Sequence, residues 1–157
     1  MRRGDIFLTR GSGFVDSAIR YVEKKKLGAK AAKWNHAGII VSDIGNTIEM
    51  QAKGAVIGDI RRYTDYVILP IVLTEDQRNS IVQFAVEAHE KSAKYGWLTD
   101  ASIAIDVLTH AKFELRREDT LICSELAALC LFHAGVNIPA VDFGEVTPAD
   151  LASWFVK

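Results

Sequence analysis

The segment HAGIIVSDIGNTIEMQ, residues 36–51, decides the fold of this chain. Its residues 37–41 are small or β-branched, which favours a buried strand. Residues 43–46 have the composition of a turn, and residues 47–51 then favour a second strand. Because a short turn can join only antiparallel strands, the segment predicts a pair of antiparallel strands.

Three more strands are predicted before and after this pair in the sequence. Residues 4–9 alternate weakly before it, and residues 54–59 follow it. Residues 66–73 favour a last strand, in which Pro70 indicates an edge position or a bulge, because proline cannot donate a backbone hydrogen bond. The first half of the chain is therefore expected to be mostly antiparallel sheet.

The second half of the chain has helical patterns. Thr74 and Gln77 have the spacing of a capping box, and the helix after them carries apolar residues at core spacing. Those apolar residues are Ile81, Phe84, Ala85 and Ala88. Strands followed by helices are typical of the α+β class.

Four further helices complete the expected architecture. One is expected from Ser12 or Asp16 to about residue 26, and another over about residues 99–111. A third should run over about residues 122–134 and end at Gly135, since glycine is common just past a helix C-terminus. A last short helix should start at Pro148, after Thr147 as its cap.

The composition is that of an ordinary globular protein. The chain has 157 residues, of which 49% are hydrophobic and 25% charged, and its net charge is −1. The length predicts one domain, residues 1–157, and the composition excludes extensive disorder. The charge balance is not that of a nucleic-acid binder, and no apolar run is long enough for stable membrane insertion. With no export signal found, we expect a cytoplasmic protein, and the oligomeric state is left open.

Cys123 is the first candidate for chemistry, because it lies at the predicted start of a helix. Backbone N–H groups and the helix dipole at such a position favour a thiolate over a thiol. The alternative is a small buried apolar side chain, which is what most free cysteines are. Cys130 is in the middle of the same helix among apolar neighbours, and core packing is the better interpretation for it.

His36 and Glu49 are the candidates that could serve this cysteine. A cysteine nucleophile needs a base within hydrogen-bond reach, and His36 stands at a strand start next to small residues. Glu49 lies on the next strand and shares a face with Gln51, because side chains alternate along a strand. Either Glu49 or Gln51 could orient the imidazole, or both could simply belong to a polar surface. No spacing of Cys and His predicts a metal site, and we expect no cofactor.

These pieces resemble a known family. The chain is similar to the permuted papain-like cysteine hydrolases of the NlpC/P60 superfamily, in particular its YiiX/YebB-like branch. The matching segments are Gly4-Asp5-Ile6, Asn35-His36-Ala37-Gly38-Ile39, Ile48-Glu49, Ile122-Cys123-Ser124-Glu125-Leu126 and Thr147-Pro148-Ala149-Asp150-Leu151. The histidine precedes the cysteine, which is the permuted order.

The resemblance implies a sheet or half-barrel with the cysteine helix packed across it. It implies Cys123 as nucleophile, His36 as base and Glu49 as the group that orients the imidazole. Ser124, Trp34 and Gln51 are assigned to oxyanion or substrate binding. The expected reaction is hydrolysis of an amide, peptide or ester bond, on a cell-wall peptide or a lipid-linked group. The alternatives are acyl transfer to a lipid or amine, and a binding module without catalysis.

Overall fold

The computed structural model describes residues 1–10, 33–51, 54–95, 119–139, 142–143 and 146–156. The helices expected over about residues 12–26 and 99–111 lie outside these ranges. The described part of the chain is of the α+β class, with a five-stranded antiparallel sheet and three helices.

The sheet is built from five short strands whose order is β4-β3-β2-β1-β5. Every neighbouring pair is antiparallel. The strands are β1 (Ile6–Thr9), β2 (His36–Ile40), β3 (Asn46–Gln51), β4 (Gly54–Asp59) and β5 (Tyr66–Ile68). β2 and β3 form the antiparallel pair that residues 36–51 predict.

The last strand is shorter than the 66–73 that the sequence predicts. β5 ends at Ile68, and it lies at one end of the strand order, as Pro70 indicated. The N–H of Ile71 donates to the carbonyl of Leu69, 2.8 Å away, so the chain turns at Pro70 and leaves the sheet. A residue without an N–H thus ends the strand rather than remaining in it.

The two faces of the sheet are buried differently. One face packs against the helices in the main core, and its members include Ile6, Leu8, Ala37, Ile39, Ile48 and Met50. The opposite face carries a small apolar cluster of Phe7, Ile40 and Ile60, with Tyr63 and Ile68 packed against it. Because side chains alternate along each strand, the residues between the core positions face this small cluster.

The first helix, α1 (Glu75–Tyr95), begins with the predicted capping box. The backbone N–H of Gln77 donates to the Thr74 hydroxyl, and the Gln77 side chain accepts from the N–H of Thr74. Its predicted core residues are all buried: Ile81, Phe84, Ala85 and Ala88. The capping box therefore fixes the start of α1, and the apolar residues fix the side of the helix that is buried.

Two further helices complete the main core. α2 (Asp119–His133) ends in a Schellman motif, in which Gly135 has a φ of 72° and the N–H of Val136 donates to the Leu131 carbonyl. α3 (Pro148–Phe155) starts with a capping box between Thr147 and Asp150. Within the described residues, no helix combines the length and apolar composition needed to cross a lipid bilayer.

A buried ion pair joins the start of the chain to α1. Arg78 Nη1 lies 2.6 Å from Asp5 Oδ1 and also donates to the carbonyl of Arg3. Gly4, with φ of 81°, lets this segment approach α1, since a Cβ there would lie 2.8 Å from the Cα of Arg78. The start of β1 is thereby fixed against the helix.

Breaking this ion pair should destabilise the protein strongly. We expect Asp5→Ala to lower the free energy of unfolding by about 3–5 kcal/mol, because Arg78 would remain buried without its counter-charge. Chemical denaturation of the variant measures this loss. Arg2→Ala is the matched control, since it breaks the exposed pair with Glu75 and should cost less than about 1 kcal/mol. Equal losses in the two variants would contradict the importance of the buried pair.

Candidate functional site

His36 and Glu49 meet on the face of the sheet opposite the main core. Glu49 lies in the middle of β3 and is 1% exposed, whereas His36 is the first residue of β2 and is partly exposed. The distance from His36 Nε2 to Glu49 Oε2 is 2.9 Å. A carboxylate can only accept a hydrogen bond, so Nε2 carries the hydrogen and donates it.

Two hydroxyl groups complete the surroundings of the Glu49 carboxylate. Thr47 donates to Oε1 at 2.5 Å, and Tyr63 donates to Oε2, the oxygen that also faces His36. Burial acts to raise the pKa of Glu49, but the hydrogen bonds from His36, Thr47 and Tyr63 outweigh it and lower that pKa. Glu49 is therefore a buried carboxylate that stays ionised at neutral pH.

Two glycines on the neighbouring strands provide the space for this carboxylate. A Cβ on Gly58 of β4 would lie 2.6 Å from both Glu49 Oε1 and Thr47 Oγ1. A Cβ on Gly38 of β2 would lie 2.8 Å from Glu49 Cγ and 2.5 Å from the ring of Phe7. Real Cβ atoms do not approach other atoms so closely, so any larger residue at either position would displace Glu49.

Cys123 interacts with the other side of the histidine. Since Glu49 engages Nε2, Nδ1 is the ring nitrogen left for the Cys123 side chain. Burial acts to lower the pKa of His36, but the charge of Cys123 and hydrogen bonds with Cys123 and Glu49 raise that pKa to about 10. The imidazole is therefore protonated at neutral pH and forms the middle member of a Cys123–His36–Glu49 chain.

The position of His36 explains how it reaches both partners. Cys123 lies in the main core with the helices, whereas Glu49 lies on the opposite face of the sheet. Because His36 is the first residue of its strand, its ring stands at the end of the sheet, where both faces are within reach.

The start of α2 differs from the prediction. The helix begins at Asp119 rather than near residue 122, so Cys123 is its fifth residue and does not lie in the first turn. Only the first four N–H groups of a helix lack an intrahelical acceptor, so the N–H of Cys123 is engaged within α2. Cys123 is also 1% exposed, so its thiol is buried in the core.

Ser124 and Trp34 are held in structural contacts. The Ser124 side chain is fully buried, and its hydroxyl donates to the Val146 carbonyl at 2.7 Å. A hydroxyl has one hydrogen, and this bond uses it, so the Ser124 side chain is not placed to donate to an oxyanion. Trp34 is buried in the main core with Lys33 Nζ 4.2 Å from its ring, which makes it a packing residue.

Gln51 ends β3 two residues after Glu49, and its side chain is half buried. It shares the face of Glu49, as the alternation of the strand predicts. Of these two candidates for orienting the imidazole, Glu49 is the one that the structure brings to His36 Nε2.

Tyr63 is a member of the site that the sequence did not single out. It follows a 3₁₀ turn, Ile60–Arg62, whose start is capped by the Asp59 side chain. Asp59 before two arginines is a detectable turn signal, but nothing local indicates that Tyr63 folds back onto a residue 14 positions earlier. Its contact with Glu49 is a property of the tertiary fold.

Comparison with known proteins adds no assignment. The sequence matches no protein-family model and no curated protein. Among the described residues, no three His, Cys, Asp or Glu side chains cluster so as to hold a metal ion. The function is therefore proposed from the geometry of Cys123, His36 and Glu49.

The protonation of His36 should depend on Cys123. In the wild-type protein we expect the ring to keep its proton until the pH approaches about 10. Cys123→Ala removes an interaction that raises the pKa of His36, whereas the burial that lowers this pKa remains. The midpoint of the His36 titration should therefore fall. Nuclear magnetic resonance of ring-labelled histidine measures both midpoints, with Cys130→Ala as the control. A midpoint that is the same with and without Cys123 would contradict the pair.

The titration of His36 should also depend on the space that Gly58 leaves beside Glu49. Gly58→Ala should displace the carboxylate, lower the free energy of unfolding by about 1–3 kcal/mol and change the midpoint of His36. Gly135→Ala is the control, because its φ of 72° disfavours alanine but no atom lies within 4 Å of the added Cβ. It should lose stability without affecting His36. If both variants leave the histidine titration unchanged, Gly58 does not serve Glu49.

Proposed function

We propose that the chain is a cysteine hydrolase that cleaves an amide, peptide or ester bond through a thioester intermediate. The observation that carries this proposal is the continuous Cys123–His36–Glu49 chain of interactions. The three groups have the roles of nucleophile, base and orienting residue that acyl transfer requires. We extend the proposal to the fold, as a permuted papain-like arrangement of the NlpC/P60 type, since the histidine and glutamate strands precede the cysteine helix.

In the first half of the proposed reaction the enzyme is acylated. The Cys123 thiolate attacks the carbonyl carbon of the substrate, and a carbon–sulfur bond forms as the carbonyl oxygen becomes negative. The carbonyl then re-forms, the bond to the leaving amine or alcohol breaks, and His36 gives its Nδ1 proton to the leaving group. The products of this half are a thioester on Cys123 and a neutral His36.

In the second half water removes the acyl group. Neutral His36 accepts a proton from water at Nδ1, and the resulting hydroxide attacks the thioester carbonyl. Loss of the Cys123 thiolate releases the carboxylic acid and restores the thiolate–imidazolium pair. Throughout, Glu49 accepts from Nε2, which keeps Nδ1 directed at the sulfur and stabilises the imidazolium.

A purely structural role for these groups is disfavoured by its energetic cost. Burying charged groups is expensive even when they are paired, and apolar residues of similar volume commonly stabilise a core at least as well. Here a carboxylate, an imidazole and a thiol are collected at one point, with glycines leaving space around the carboxylate. Neighbouring groups that shift each other's pKa values in this way are typical of functional sites.

Turnover of p-nitrophenyl acetate tests the proposal. Its acetyl group is small, which suits a thiol that is 1% exposed. We expect release of p-nitrophenolate, with an acetyl adduct on Cys123 detected by mass spectrometry of the quenched protein. Cys123→Ala should reduce turnover to background, and His36→Gln should reduce it by about 10²–10⁴-fold, the usual contribution of a general base.

Cys130→Ala is the control for this experiment. Cys130 is fully buried on the same helix, and burial raises the pKa of its thiol, so its removal should leave turnover unchanged. An adduct on Cys130, or full activity in Cys123→Ala, would overturn the assignment of the nucleophile. A wild-type protein that neither forms an adduct nor turns over this ester would favour a binding module.

The acceptor of the acyl group can be tested with the same ester. Hydrolysis delivers the acetyl group to water and gives acetate. If hydroxylamine is added and acetohydroxamate forms at the expense of acetate, the thioester accepts amines, as an acyltransferase would. If the product ratio follows the hydroxylamine concentration, and Cys123→Ala forms both products only at the uncatalysed rate, both reactions proceed through one intermediate on Cys123.

A further inference from the structure

We propose that Tyr63 is a positioning residue, whose hydroxyl fixes the oxygen of Glu49 that faces His36. This inference rests on the proposed function, because it assigns Tyr63 a part in orienting the base of that reaction. The observation behind it is that Tyr63 and His36 donate to the same oxygen, Oε2, whereas Thr47 donates to Oε1.

The Tyr63 side chain is itself held in place from several directions. The 3₁₀ turn that precedes Tyr63 is capped by the Asp59 carboxylate, which accepts a hydrogen bond from the N–H of Arg61. The N–H of Tyr63 itself donates to the Ile60 carbonyl. Its ring lies 5.5 Å from the ring of Phe7, centre to centre, and Phe7 is fully buried. The hydroxyl therefore reaches Glu49 from a residue that is held by a hydrogen-bonded turn and by packing on Phe7.

The three donors together define one orientation of the carboxylate. A carboxylate attached by a single bond can rotate and exchange its two oxygens, unless each oxygen is held by a separate donor. Thr47 holds Oε1, and Tyr63 holds Oε2 at the position from which it accepts the Nε2 hydrogen of His36. Without Tyr63, the only donor to Oε2 among the described residues would be His36, the residue whose position Glu49 is meant to fix.

The charge of the carboxylate depends on the same hydroxyl. Burial and the nearby Glu49 carboxylate raise the pKa of Tyr63 far above its usual value, so its hydroxyl remains a donor at every working pH. Loss of this donor removes one of the bonds that lower the pKa of Glu49 while burial remains. Glu49 should then take up a proton at a higher pH, and a protonated Glu49 no longer stabilises the imidazolium.

Tyr63→Phe tests the inference, because it removes the hydroxyl and keeps the ring on Phe7. We expect kcat/KM for p-nitrophenyl acetate to fall by about tenfold, the effect of one hydrogen bond to a charged group. The acid limb of the pH–rate profile should move to higher pH. The resonance of the hydrogen on His36 Nε2, observed in ring-labelled protein, should shift or broaden because its acceptor is less well held.

Tyr66→Phe is the matched control. Tyr66 lies three residues further on, in β5, and is 42% exposed. The variant also removes a tyrosine hydroxyl, but this hydroxyl does not contact Glu49. It should leave the rate, the pH profile and the resonance unchanged. Asp59→Ala serves as a second variant, since loosening the turn that carries Tyr63 should shift the same readouts in the same direction by a smaller amount.

The outcomes separate this inference from the proposed function. If the wild-type protein shows no turnover but Tyr63→Phe still shifts the His36 resonance, the positioning contact stands and the proposed reaction fails. If the wild-type protein is active and Tyr63→Phe changes neither the pH profile nor the resonance, Tyr63 is not a positioning residue. A loss of thermal stability alone, with both readouts unmoved, would likewise overturn the inference and leave Tyr63 a packing residue.

Discussion

The arrangement around the candidate site depends on one buried charge, the carboxylate of Glu49. A carboxylate placed inside a protein is strongly unfavourable unless hydrogen bonds replace the water that it loses. Glu49 is 1% exposed in the middle of a central strand, and three side chains donate to it. Neighbouring strands have glycine where a larger residue would displace it. The central strands, the turn that carries Tyr63 and the glycines at positions 38 and 58 together provide the space and the hydrogen bonds that this carboxylate needs.

This constraint gives the histidine its direction. With Nε2 bound to Glu49, the ring cannot turn without breaking this hydrogen bond to a buried carboxylate, so Nδ1 stays on the side of Cys123. The position of His36 at the first residue of β2 matters for the same reason, because only a residue at the end of the sheet can face partners on both of its sides. The Cys123–His36 interaction is therefore a consequence of how the Glu49 strand is built.

The sequence predicts those parts of the structure that are determined locally. The β2–β3 hairpin, the capping box at Thr74 and the glycine at the end of α2 follow from turn, cap and alternation patterns within a few residues. The shared face of Glu49 and Gln51 follows in the same way. Alternation cannot choose between them, because the choice depends on how β2 is placed against β3.

The parts that the sequence did not predict all involve distant contacts. Tyr63 reaches Glu49 only because the turn after β4 brings it back over the sheet. Gly58 has no local reason to be a glycine, and its reason appears only when Glu49 and Thr47 are seen beside it. The burial of Cys123 and Ser124 likewise results from the packing of α2 on the rest of the fold, which no periodicity reveals.

The start of α2 changes which group of the structure can act on Cys123. A helix dipole contributes about 0.3–1 kcal/mol to a nearby charge and fades within the first turn, and Cys123 lies beyond that turn. Burial acts to lower the pKa of His36, but its interactions with Cys123 and Glu49 raise that pKa from 6.5 to about 10. The partner that the structure provides for Cys123 is therefore the His36 ring and not the helix N-terminus. Because Glu49 accepts a hydrogen bond from Nε2 of the same ring, a carboxylate on β3 determines how the histidine is presented to the sulfur of Cys123.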